Sequence, residues 1–273
     1  MRQHDLDICR EWFDRYCRSF LTDNPEDRRN IELKIFHTDR VFENAGRICA
    51  GEWLDPKTLL LARTAGLLHD VGRFPQYARF RTYQDSVSVN HGRLGADVLM
   101  EEHVLDPLDT EDRGTILDAV RFHNAFTCPD LADTARETII RIVRDSDKLD
   151  IWKIFCDLDD YARADRPSAA ALGLPDLPDY SEAAIRCLQE QRPVALSDLT
   201  TLNDLRLMQL SWIYDLNFPS SFRLLGEAGF IDRYASHLPG TGEIRDSIDI
   251  LKDFVREKAG LPAGPGLSGG TDA

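Results

Sequence analysis

Residues 66–74 read GLLHDVGRF, and the reading of this stretch decides the fold. The segment from Lys57 to His69, opened by Pro56, is apolar nearly all round, which marks a central helix rather than a surface one. It ends by placing His69 and Asp70 side by side, followed by Gly72 and Arg73. Ionisable groups at the end of a buried helix are costly unless they are paired or bind metal. His69 and Asp70 therefore need partners from elsewhere in the chain.

Outward from this helix, nearly every segment has helical period and none alternates convincingly as a strand, so the fold class is all-α. Upstream, Leu6, Cys9, Phe13, Tyr16, Cys17 and Phe20 share one helical face. A second helix is expected after NPEDRRN, with Leu33, His37, Val41 and Ile48 in register. Downstream, GRFPQYARFRTYQDSVSVN (72–90) carries Pro75, several arginines and β-branched residues and reads as a long loop, a feature usually tied to function. Helices are expected again over 91–104, 110–126, 132–161, 181–192 and 197–216. TCPDL and ADRPSAAALGLPDLPDY lie between them as connectors. The expected organisation is one all-α domain over 1–259, with a core at about 30–155 and a C-terminal helical part at about 180–259. The Gly/Pro-rich end, 260–273, is expected to be disordered.

Of the 273 residues, 42% are hydrophobic, enough for a sizeable core. The formal net charge of −14 argues against nucleic-acid polymers and anionic membranes, whose binding is driven by basic patches, and leaves a small, locally steered anion open. The six cysteines form no C-x-x-C pair and read as reduced thiols. The N-terminal stretch has acids and no apolar core, and no run is long enough to span a membrane, so a cytoplasmic protein is expected.

Several other ionisable residues also fall on apolar faces. His37 lies four residues from both Leu33 and Val41. His69 shares its face with the small residues Ala62 and Ala65. His123 follows Ile116, Ala119 and Val120, and Asp147 lies among Ile140, Val143, Ile151 and Ile154. His91 opens a helix with Gly95 one turn on. Four inward histidines and two inward aspartates point to one shared metal centre, since imidazole with carboxylate suits iron, manganese, cobalt or zinc and a carboxylate can bridge two ions. His4, His103 and His237 sit at termini or helix ends and read as surface residues.

The order His37, His69-Asp70, His91, His123, Asp147 resembles the HD superfamily of metal-dependent phosphohydrolases, over about residues 30–155. The pair lies within LLHDVGRF, with a helical histidine upstream and SDKLD downstream. HGRLGADVL and AVRFHNAF are similar to the two histidine segments of the two-metal branch, which includes HD-GYP phosphodiesterases and HD-type diadenosine tetraphosphate hydrolases. The GYP segment is absent and Phe122 replaces the first of a tandem histidine pair, so cyclic dinucleotide specificity is not supported.

The resemblance implies a helical bundle and two divalent transition ions. His37, His69 and Asp147 would hold one, His91 and His123 the other, with Asp70 bridging. The spacing of the family's last aspartate favours Asp147 over Asp145 or Asp150. The implied reaction is hydrolysis of a small phosphate ester, nucleotide or short phosphoanhydride by a metal-bridging hydroxide, with Asp70 and Arg73 catalytic. Arg73, Arg79, Arg81 and Arg93 are the candidate phosphate ligands, because the guanidinium fork matches phosphate oxygens. Two other expectations stand beside this one: a mixed-valent diiron oxygenase, which resembles it in the same donor set, and a non-catalytic HD signalling module, against which the full ligand set speaks.

Overall fold

The computed structural model describes residues 1–127, 133–160 and 174–262. Every regular element among the described residues is helical and none is a strand. Chain packing separates two compact units, Met1–Gly173 and Leu174–Ala273. The tail 263–273, most of TCPDL and residues 164–173 of the connector lie outside the described residues.

The first unit contains α1 (Gln3–Arg18), α2 (Pro25–Gly51), α3 (Pro56–Leu68), α4 (Arg73–Phe80), α5 (His91–Glu101), α6 (Thr110–Phe122) and α7 (Thr134–Asp160). Asparagine or aspartate caps open four of them. Asn24, Asp55, Asn90 and Asp109 each accept from backbone N–H groups of the first turn, and Pro25 and Pro56 occupy the first helical position, where a missing N–H is harmless. Helix α2 begins inside NPEDRRN, earlier than its charge run implied, because Asn24 with Pro25 starts it.

Helix α3 is the centre of this unit and packs on α1, α2, α6 and α7, while α2 also lies along α7. Its Leu61, Ala62, Ala65, Leu67 and Leu68 are all buried, consistent with a helix apolar all round.

The expected long loop at 72–90 is corrected: its first half is α4, and a 3-10 turn follows at Asp85–Val87. Pro75 falls in the first turn of α4, where the helix tolerates it. Phe74, Gln76 and Tyr77 supply the buried face, and Arg81 ends the helix in the left-handed conformation, φ 57°.

The second unit contains α8 (Glu182–Gln189), α9 (Leu202–Ser211), α10 (Pro219–Ala228), α11 (Phe230–Ser236) and α12 (Gly242–Lys258). Helix α12 packs on α8 and α10, and Phe254 of α12 meets the rings of Tyr214 and Phe222 at 5.0 and 5.9 Å. A buried carboxylate, Asp204, closes the start of α9. It accepts from the Ser181, Thr200 and Thr201 backbone nitrogens at 2.6, 2.8 and 3.0 Å and from the Thr200 hydroxyl at 2.6 Å.

Candidate metal centre

The six predicted ligands come from five helices and the turn after α3. His37 lies mid-way along α2 on its buried face, and Asp147 comes from α7. His69 and His123 are the C-caps of α3 and α6, and His91 is the first residue of α5. Asp70 occupies the turn after α3, held close to α5 by Gly72. A Cβ on Gly72 would lie 2.6 Å from the Gly95 nitrogen and closer still to the His91 carbonyl oxygen, so only glycine admits the approach.

The structure brings the six side chains together. Asp70 Oδ2 lies 3.5 Å from His37 Nε2 and 3.6 Å from His69 Nε2, whereas Asp70 Oδ1 lies 3.4 Å from His91 Nε2 and 3.7 Å from His123 Nε2. The two oxygens of one carboxylate thus face two separate histidine pairs. Asp147 Oδ1 joins the first pair, 3.1 Å from His37 Nε2 and 3.8 Å from His69 Nε2. The donor atoms of His37, His69 and Asp70 lie within 4.8 Å of one another, as do those of Asp70, His91 and His123 and those of His69, His123 and Asp147.

The outward nitrogen of each ring assigns its proton. His69 Nδ1 donates to the Gly66 carbonyl and His123 Nδ1 to the Val120 carbonyl, both at 2.8 Å. His37 Nδ1 donates to Asp150 and His91 Nδ1 to Asp85, both at 2.7 Å. With Nδ1 as the donor, each ring in its neutral form presents a lone pair at Nε2. His37 and His69 do so 3.2 Å apart, His91 and His123 2.9 Å apart. Facing lone pairs at such distances repel unless a positive charge lies between them. A divalent ion satisfies a nitrogen pair and a carboxylate oxygen together, so this donor set fits a metal.

Burial pushes His69 down to about 4 against the pull of Asp70 and Asp147. It also pushes His91 down to about 3, with the Arg73 charge adding to the shift and Asp85 opposing it. Both rings are thus neutral at ordinary pH, the form that ligates metal. His37 is raised, because Asp147 and Asp150 outweigh burial and Lys34. Burial alone would raise the Asp70 carboxyl, but Lys34, His69, His123 and Arg73 hold it well below the usual range.

Three neighbours of the cluster were not assigned to it in the sequence, Asp150 being weighed there only as an alternative to Asp147. Asp150 accepts His37 Nδ1 and is itself clamped by Arg40, whose Nη2 lies 3.1 Å away. Asp85 accepts from His91 Nδ1 through Oδ2, and through Oδ1 from Arg73 Nη1 at 3.0 Å and Gln76 Nε2 at 2.9 Å. Lys34 Nζ lies 2.8 Å from Asp70 Oδ2. Its position three residues before His37, on the same face of α2, was the available signal.

Arg73 points into the cluster, its Nε 3.5 Å from Asp70 Oδ1, and its Nη1 also binds Gln76 and the Tyr83 carbonyl. The other three arginines lie elsewhere. Arg81 pairs with Asp27, Arg79 rests over the Phe80 ring at 5.0 Å, and Arg93 is exposed. None of the three hydrogen bonds or ion pairs with the cluster among the described residues.

Residues 35–152 match the HD domain family. No curated protein matches the chain. A crystal structure of a predicted HD superfamily hydrolase from an uncultured Thermotogales bacterium, at 1.45 Å resolution, is similar to it. The sequence identity is 26% and the TM-score 0.35, over 61% of this chain and 82% of that one. With the HD pair at 69–70 and the flanking histidines and aspartates inside the matched range, residues 35–152 of this chain are an HD domain.

Proposed function

We propose that the protein is a phosphohydrolase with two divalent transition ions, acting on a small phosphorylated substrate. The observation that carries this reading is Asp70, whose two oxygens face two different histidine pairs. His37, His69 and Asp147 would hold one ion, His91 and His123 the other, with Asp70 shared; iron, manganese, cobalt and zinc all suit these donors. Such ions supply Lewis acidity and make hydroxide available near neutral pH.

The chain's own residues do the rest. Asp85 and Asp150 hold two rings in the ligating tautomer, and the outward carbonyls of Gly66 and Val120 hold the other two. Arg73 supplies positive charge on the Oδ1 side of Asp70. In the hydrolysis an oxygen from water bonds to phosphorus, the ester P–O bond breaks, and the departing oxygen takes a proton. The acidic balance of the chain, −14, disfavours a polynucleotide and leaves the positive charge local to this site.

The test is metal analysis of purified protein with a screen of phosphate esters and nucleotides under manganese, cobalt, zinc and ferrous iron. The expected result is up to two equivalents of metal and phosphate release without oxygen. Oxygen consumption with iron and no phosphate release would replace this reading by the oxygenase, and cleavage of single-stranded polynucleotide with inertness to small phosphates would overturn the substrate class.

A further inference from the structure

Asp70 and the four imidazoles are 5% exposed or less, but two cations at the edge of the cluster, Lys34 and Arg73, keep 14% and 15% of their side-chain surface in contact with water. Each belongs to one oxygen of Asp70, Lys34 to Oδ2 and Arg73 to Oδ1. Both also flank one aromatic ring: Lys34 Nζ is 5.4 Å and Arg73 Cζ 5.7 Å from the centre of Tyr83. That ring is fixed by its hydroxyl, which donates to the Asn30 carbonyl at 2.8 Å, one turn of α2 before Lys34. Lys34 and Arg73 therefore bracket the two oxygens of Asp70, with Tyr83 between them.

Charge around Asp70 says what such a bracket receives. Among the groups ion-paired with Asp70, with His37 and His91 or with their carboxylates, Asp70, Asp85, Asp147 and Asp150 bring four negative charges and Lys34, Arg40 and Arg73 three positive ones. Two divalent ions turn this single negative excess into a positive excess of three. A dianionic phosphate offsets one more unit of this excess than a monoanionic diester does, and buried charge left without a counter-charge is costly. A lysine at the edge also attracts a dianion twice as strongly as a monoanion at the same distance.

We infer that Lys34 is a specificity-determining residue, which with Arg73 selects a dianionic terminal phosphate over a phosphodiester. The inference rests on the phosphohydrolase reading above and narrows its substrate class to phosphomonoesters and terminal phosphates. A purely structural Lys34 would neutralise Asp70 without distinguishing one phosphate from another.

The experiment compares two non-hydrolysable probes by calorimetry on manganese-loaded protein. They are phenylphosphonate above its second pKa, a dianion, and methyl phenylphosphonate, its monoanionic ester. Wild type is expected to prefer the dianion. K34M should lower that preference about tenfold while keeping the metal content of wild type, and K34R should hold it within about threefold. K34Q carries the same comparison should K34M not fold. An unchanged preference in the neutral variants overturns the inference, as does loss of metal from them, which would make Lys34 a support for the ligands. Wild type that binds neither probe and hydrolyses no phosphate ester would overturn the phosphohydrolase reading itself.

Discussion

Asp85 accepts the Nδ1 proton of His91 at 2.7 Å and, with its other oxygen, holds Arg73 at 3.0 Å. One carboxylate thus sets the tautomer of a candidate metal ligand and the position of a candidate phosphate ligand. Burial alone would raise the Asp85 carboxyl, but His91, Arg73 and Gln76 keep it well below the usual range, so it is ionised for both tasks. Asp85→Ala is expected to weaken binding of one metal equivalent by about 10–100-fold, since the orienting carboxylate of a ligating imidazole is worth that much. Titration with manganese or zinc checks this, and two equivalents bound as in wild type would return Asp85 to a loop-shaping role.

Arg73→Ala should retain metal and lose activity. The guanidinium touches Asp70 only at 3.5 Å and ligates nothing, but a charged donor to phosphate is worth roughly 1.5–3 kcal/mol. A fall in kcat/KM of about 100-fold on an aryl phosphate is expected, with metal equivalents unchanged. Unaltered kinetics would confine Arg73 to its contacts with Gln76, Tyr83 and Asp85.

Gly72→Ala tests the approach of the Asp70 turn to α5. The added methyl meets backbone atoms of His91 and Gly95, which cannot rotate away. The expected cost is about 1–3 kcal/mol of stability, with metal affinity lowered because the turn carries Asp70. Wild-type melting and metal binding in this variant would show that the two segments separate freely.

Asp204→Asn tests the carboxylate that closes α9. Burial alone would raise its pKa, yet the Thr200 hydroxyl and the backbone donors of Ser181 and Thr200 lower it. A depressed carboxyl contributes stability that is fully present above the unfolded value, about 3.9, and is lost as pH falls. The variant should lose about 2–3 kcal/mol at neutral pH, and its deficit should shrink below about pH 4. Urea denaturation at several pH values measures this, and a deficit independent of pH would mean that the charge of Asp204 contributes nothing.

Helix starts were legible because they are local. Asn24-Pro25 and Asp55-Pro56 carry their caps within three residues, and the apolar run of α3 announces a central helix whatever packs on it. The six candidate ligands were legible for a related reason, since an ionisable residue on an apolar face stands out against its neighbours four residues away. Helix α4 was not, because Pro75 and its arginines read as loop until Phe74 and Tyr77 have a core to enter. Asp85 and Asp150 escaped for a different reason: among so many acidic residues a carboxylate is unremarkable until its partner is known. Asp150 is 113 residues from His37, and Asp85 meets Asn124 and Arg73 only after α4 turns back on α5. The sequence by itself determined which side chains point inward, because helical period is set within a turn or two. Tertiary structure alone decided which oxygen of Asp70 faces which histidines and which cations stand beside it, because those distances depend on how α2, α3, α5, α6 and α7 pack.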